Sequence, residues 1–159
     1  QKSLETAWKH IGRNNILIDR FKTALVYVKK YPESKKDIKY IFEIMAEKIF
    51  GIADSQFVMF RVVDVKEMKT LSEYFQARGN EKAPKIKIGN KELIKGRNDE
   101  LEIVFSRADN NIKTFCVFPK TQLDEEQKIF INKIVEYFTM LYVIFSFYAS
   151  TAASHQRVG

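Results

Sequence analysis

The chain holds one cysteine, two histidines, three prolines and six glycines in 159 residues, and each scarcity closes off a class of explanation. A lone cysteine rules out an intramolecular disulfide. The setting of Cys116, Thr114-Phe115-Cys116-Val117-Phe118, reads as a small buried hydrophobe in a reducing compartment rather than as a reactive thiol. The two histidines, His10 and His155, stand near opposite ends of the chain. No His-Glu-x-x-His or Cys-x-x-Cys spacing accompanies them, so the sequence offers neither a metal cluster nor a well-placed base for a hydrolytic triad. Gly89 and Gly96 lack the Gly-Lys-Ser/Thr ending that would cradle a phosphate. Asp99-Glu100 and Asp124 to Glu126 read as a turn and a helix start rather than as a carboxylate dyad. The expectation is therefore no catalytic residue, no metal and no cofactor.

Charge excludes less. A net charge of +7 arises from 27 Lys plus Arg against 20 Asp plus Glu. The excess is spread over the amino terminus, Lys29 to Lys39 and Lys82 to Arg97, as on a solvated surface. A nucleic-acid partner would call for a concentrated basic face or a recognisable module, and neither is present. Gln1 to Arg13 lacks the continuous apolar core of a signal peptide, so the location expected is cytoplasmic. Because the chain begins without Met and stops at Gly159 soon after an unfinished helical pattern, it is expected to be an excised piece of a longer protein.

What the chain does have is a long uninterrupted helical pattern from Gln122 to about Ser154, uncharged from Tyr137 to Ala153. Tyr137, Phe138, Met140, Leu141, Tyr142, Val143, Ile144, Phe145, Phe147 and Tyr148 surround nearly its whole circumference, so it needs burial on two sides. One side is expected to be the chain's own core and the other a second copy. Phe138, Leu141, Tyr142 and Phe145 form one stripe, taken as the dimer helix, and Met140, Ile144 and Phe147 form another. Spacing alone leaves open which stripe meets the partner. A membrane span is the competing reading, disfavoured by Thr139, Ser146, Ser150, Thr151 and Ser154 within the run and by the absence of a following Lys/Arg cluster.

Ahead of this lie two amphipathic helices and a run of strands. Ile16 to Tyr31 carries Leu17, Phe21, Ala24, Leu25 and Val28 on one side and ends at Tyr31-Pro32. The second helix, capped by Ser34 or Asp37, presents Ile38, Ile41, Phe42, Met45, Ile49 and Phe50, and Gly51 is expected to close it. Gln56 to Val63 reads as a mostly buried strand. Thr70 to Arg78 is assigned to a strand because Gly79-Asn80 reads as a turn, and Lys85 to Ile88 as a short strand with Ile86 and Ile88 inward. A hairpin follows over Leu101 to Phe118, with Leu101, Ile103 and Phe105 on one face, Phe115 and Val117 on one face, and Asp109-Asn110-Asn111 in the turn. Pro119 ends it, and Thr121 is the expected cap of the terminal helix. The fold class is α+β, a central antiparallel sheet of about five strands with amino-terminal and long carboxy-terminal helices on one face.

This order resembles a GAF-like sensory domain of the kind preceding GGDEF and EAL modules in bacterial cyclic di-GMP signalling proteins. The resemblance rests on the paired opening helices, the strand Ser55 to Arg61, the hairpin ending Thr114-Phe115-Cys116-Val117-Phe118-Pro119, and the acidic helix start Leu123-Asp124-Glu125-Glu126-Gln127. It divides the chain into an amino-terminal extension (1–15), a GAF-like domain (16–154) and the start of a linker to a missing effector (155–159). It implies a non-catalytic sensory and regulatory module that pairs through its terminal helices and passes a signal down the last one to a cyclic di-GMP synthase or phosphodiesterase. The cyclic-nucleotide pattern of the family is broken here, since Lys95 stands where phenylalanine is required between Asn90-Lys91 and Asp99-Glu100. Bilin attachment is not expected, because Cys116 sits in a strand without a neighbouring histidine.

The alternative is a small-molecule sensor with a true pocket, for which Arg61, Tyr74, Phe75, Phe105 and Arg107 are the candidate residues; an enzyme of another type ranks below it. Arg61 interrupts an apolar strand, so it is expected to take an edge or solvent-facing position or to pair with a helix carboxylate such as Glu43 or Glu47, ahead of binding an anion. A cavity lined by Arg61 and Tyr74 would favour the sensor, and a face filled by Phe75, Phe105 and Phe118 the dimerisation module.

Overall fold

A computed structural model of the chain describes residues 34–79 and 86–158. The helix expected over Ile16–Tyr31, the extension before it and Lys85 lie outside these residues. The first described element, α1, runs Ser34–Ala53. Its expected stripe, Ile38, Ile41, Phe42, Met45, Ile49 and Phe50, is buried throughout, as three- and four-residue spacing on a helix requires. Gly51 does not close it. The helix continues to Ala53, and Asp54 takes the left-handed conformation with φ 48°. Its amide donates to the Phe50 carbonyl at 3.1 Å and its carboxylate accepts from Arg78 at 2.6 Å, so a short polar side chain does what a glycine was expected to do.

Four strands follow: β1 (Phe57–Asp64), β2 (Lys69–Ala77), β3 (Leu101–Phe105) and β4 (Ile112–Pro119). They form one antiparallel sheet in the order β2-β1-β4-β3. Thr70 to Arg78 is a strand as expected, and the register Phe105↔Phe115 and Ile103↔Val117 unites the two hairpin faces read from the sequence. Asn110 and Asn111 adopt φ 50° and 65° in the turn, which asparagine tolerates better than most residues. Between Val62 and Val63 the β1–β2 register slips by one residue at Leu71. This bulge keeps Ser72 on one face and Thr70 on the other.

The fifth strand expected at Lys85–Ile88 is a correction. Residues 86–89 pair with no strand. They belong to a strap that lies over a sheet face, where Ile88 is buried and its carbonyl accepts from the Arg61 side chain rather than from a ladder. The alternation was real, with Ile88 inward and Lys87 outward, but a segment lying on a face has no strand edge to pair with. The strap continues into the short helix α2 (Asn90–Lys95) and turns at Gly96, φ 70°. A Cβ on Gly96 would meet the Phe105 ring at 3.4 Å.

The terminal helix α3 runs Glu125–Val158. Its cap is Asp124, not Thr121. The Asp124 carboxylate accepts the Gln127 amide at 2.8 Å while the Gln127 side chain accepts the Asp124 amide at 2.9 Å, a reciprocal pair that satisfies two otherwise orphaned donors. The Gln127 amide group also donates to the Ile52 carbonyl at 3.1 Å, tying the start of α3 to the end of α1.

The sheet is thus covered twice. Val58, Phe60, Val62, Cys116 and Phe118 face α1 and α3. Phe42, Phe60, Tyr74 and Phe138 interlock there at ring separations of 4.9 to 5.7 Å, mostly edge to face, a geometry favoured by ring quadrupoles. Met59, Val63, Phe115 and Val117 face the strap, which plugs them with Ile88 and Leu93.

Gly51 is exposed, sits inside α1, and has nothing within 4 Å of where a Cβ would stand. Gly51→Ala is expected to raise stability by about 0.5–1 kcal/mol, because alanine loses less backbone freedom on folding. Urea denaturation of the two proteins measures it; a loss of stability would contradict the open environment of this position.

Candidate functional site

The five residues expected to line a pocket do not meet in one. Arg61 and Phe75 lie on the strap side of the sheet, whereas Tyr74 lies on the helix side between Phe42 and Phe138. Period-2 alternation separates Tyr74 from Phe75, its chain neighbour. Phe105 stands at the far end of β3, 44% exposed, with the Lys113 ammonium 5.0 Å from its ring centre. Arg107 is almost fully solvated, 3.8 Å from Glu136 on α3. Of the three rings expected to fill one face, Phe118 turns to the helices and Phe75 to the strap.

Arg61 is buried and makes three hydrogen bonds to protein acceptors. Its Nε donates to Glu73 at 2.7 Å, and one terminal nitrogen donates to the Ile88 carbonyl at 2.6 Å and the Asn90 side chain at 3.2 Å. The expected ion pair exists with a different partner. Glu73 sits directly across the β1–β2 ladder, whereas Glu47 on α1 is approached by Gln76 at 3.4 Å from the opposite face. Asn90 completes the junction by donating to Thr70 Oγ1 at 3.0 Å. The guanidinium therefore latches the strap to the sheet, and its fork geometry suits three acceptors in different directions.

An open groove of about 620 Å³ lies elsewhere, around the α2–β3 connection, lined by Glu92, Arg97, Asn98, Asp99, Glu100 and Lys120 among others. Its charges are mixed. Among the described residues no three His, Cys, Asp or Glu side chains gather to hold a metal ion.

The other chemically distinctive surface is α3. Phe138, Leu141, Tyr142 and Phe145, expected on the dimer stripe, are buried in the chain's own core, so that stripe is not available to a partner. The outward stripe is Ile129, Tyr137, Met140 and Ile144, each between 39% and 43% exposed. The Phe147 side chain lies outside the described residues. The segment Glu125–Ser146 is long and apolar enough to cross a membrane, yet 39% of its most apolar stretch is buried inside the fold.

Sequence reading missed the polar centre of this helix. Thr139, which by pattern alone only dilutes the apolar run, is 2% exposed and lies 2.7 Å from Thr114 Oγ1, 2.9 Å from Ser106 Oγ and 2.9 Å from the Val135 carbonyl. Farther along, the Tyr142 and Ser72 hydroxyls are 2.9 Å apart. A hydroxyl inside a fully apolar window is the only sequence signal of such a node.

Burial raises the Cys116 thiol well above its usual range, and burial, partly offset by the Ser72 hydrogen bond, raises Tyr74. No family model, no curated protein and no solved structure matches this chain.

Two outcomes follow from this geometry. Arg61→Met should cost about 1–3 kcal/mol, because it strands the buried Ile88 carbonyl, and should speed amide hydrogen exchange at Leu93 and Gly96 more than in α1. Equal effects on both would show that Arg61 does not latch the strap. For Cys116 the folded thiol holds its proton more tightly than the unfolded one. Its contribution is fully present below about pH 8.5 and is lost as the pH rises from there toward the folded value. Chemical denaturation across that range should show the loss in the native protein and a smaller one in Cys116→Ala, while the native thiol should label with maleimide only on unfolding.

Proposed function

We propose that this chain is a non-catalytic regulatory module that pairs with a second copy of itself through the outward stripe of α3. The observation that carries the reading is the division of that helix into two apolar faces. Phe138, Leu141, Tyr142 and Phe145 are committed to the internal core, while Tyr137, Met140 and Ile144 repeat outward at three- and four-residue spacing, the seam geometry of paired helices. An exposed apolar stripe of this kind on a folded domain marks an interaction surface. In the sheet interior, Ile88 and Leu93 occupy the strap side and Arg61 is engaged by three protein acceptors, which supports pairing over the pocket-based sensor.

The resemblance to GAF-like domains ahead of GGDEF and EAL modules supports a setting in a cytoplasmic bacterial signalling protein, with α3 leading toward a cyclic di-GMP synthase or phosphodiesterase. In this reading, regulation is a change in how two α3 helices pack, and that change biases the attached enzyme.

Sedimentation of the chain at micromolar concentration tests the pairing. Met140→Ala and Ile144→Ala should each weaken self-association about ten- to a hundredfold, equivalent to about 1.4–2.8 kcal/mol, with unchanged thermal stability of the monomer. Phe138→Ala should instead destabilise the fold by about 3–5 kcal/mol. A native chain that sediments as a monomer would remove this reading.

A further inference from the structure

We infer that the buried hydroxyl cluster of Ser106, Thr114 and Thr139 is a register lock, which fixes the rotation and axial position of α3 on the sheet and so decides which stripe faces outward. Most of the buried contacts that glue α3 to the rest of the fold are apolar: Ile131, Ile134, Val135, Phe138, Leu141 and Phe145 are all buried. Such contacts are non-directional. A helix apolar nearly all round could bury Met140 and Ile144 instead at modest loss, since one residue of slip moves it about 1.5 Å along its axis and about 100° around it.

The hydroxyl cluster removes that freedom. Ser106, Thr114 and Thr139 are 1%, 0% and 2% exposed, so none can turn to water. Each hydroxyl has a single proton: the Thr139 hydroxyl has acceptors within reach in Thr114 Oγ1 at 2.7 Å and Ser106 Oγ at 2.9 Å, and Ser106 passes its own proton to the Arg107 carbonyl at 3.0 Å. The Thr114 amide also donates to Ser106 Oγ at 3.0 Å. The Val135 carbonyl offers Thr139 an acceptor within the helix, but Thr114 has no such substitute among these contacts. Any slip of α3 leaves buried hydroxyl capacity unmet, whereas the apolar neighbours merely exchange partners.

Position matters as much as chemistry. Thr139 precedes Met140 of the outward stripe, and Asn132, one heptad earlier on the same face of the helix, donates to the Phe105 carbonyl at 2.9 Å. Both contacts reach the β3–β4 hairpin. A force that shifts this hairpin therefore acts on α3 at the point that sets its register. The Ser72–Tyr142 bond on β2 is a weaker hold, because it is half-buried and ends on a long side chain that can follow the helix. The inference does not require two copies to pair.

The test is the double variant Thr114→Val, Thr139→Val in the full chain, which replaces the buried pair with groups of nearly equal volume. The expected result is a melting temperature at or above that of the native chain together with doubled or exchange-broadened amide resonances over residues 133–146. Thr139→Ser, which keeps the hydroxyl and loses a methyl, should lower the melting temperature yet retain one set of resonances. A single unchanged set in the double variant would overturn the inference, as would equal doubling in Thr139→Ser, which would assign the heterogeneity to packing. If the double variant melts well below the native chain, the cluster serves stability rather than register, and the inference also fails.

Discussion

Everything in this fold follows from the burial of β1 on both faces. From Phe57 to Val63 no residue of the strand is exposed, and β4 beside it is buried from Thr114 to Phe118. A sheet with an apolar centre on both sides must be covered twice. Two helices cover one face with large interlocking rings. The other is closed more economically, by a strap that contributes two apolar plugs and is fastened through Arg61. A buried cation is tolerable only when its donors are met, so the residue that looks most out of place in β1 is the one that holds the second layer on.

The two covering layers differ in kind, and that difference shapes what the molecule can do. The strap is pinned by directional bonds at a few points: Arg61, itself oriented by Glu73, to Ile88 and Asn90, and Asn90 to Thr70. The helix layer is broad and mostly apolar, with a fully buried polar centre at Thr139. Broad apolar contact supplies stability but little direction; the small cluster of hydroxyls supplies direction with little area. In α3 these roles lie side by side, and the helix carries a further apolar stripe that the domain leaves partly open. A surface and the device that aims it are therefore built into one element, which is what a module working through helix packing would need.

The local chemistry was legible wherever a short stretch of sequence settles its own conformation. The stripe of α1, the buried strand at Gln56 to Val63, the hairpin with its Asp109-Asn110-Asn111 turn and the long terminal helix all come from periodicity and turn residues, and all stand in the structure. Boundaries were less secure, because several residues can serve one role. Asp54 rather than Gly51 ends α1, and Asp124 rather than Thr121 caps α3, each chosen by hydrogen bonds that spacing does not reveal. The strand expected at Lys85 to Ile88 shows the limit plainly: inward and outward alternation is the same for a strand in a ladder and for a strap on a face.

The candidate site lay beyond that limit. Arg61, Tyr74, Phe75, Phe105 and Arg107 were grouped by chemical type, and the pleat, the strand register and the strand ends then dispersed them over two faces and the solvent. Likewise two apolar stripes on α3 were visible, but the sequence could not rank them. By itself the sequence determined that α1 and α3 are helices, that β1 to β4 are strands, and that the terminal helix carries more apolar surface than one neighbour can cover, since these depend on residues a few positions apart. Only the tertiary structure decided which stripe is inner, which carboxylate meets Arg61 and why a threonine sits at the helix centre. Those outcomes depend on groups brought together from distant parts of the chain, where burial makes each unmet hydrogen bond costly enough to choose among otherwise similar packings.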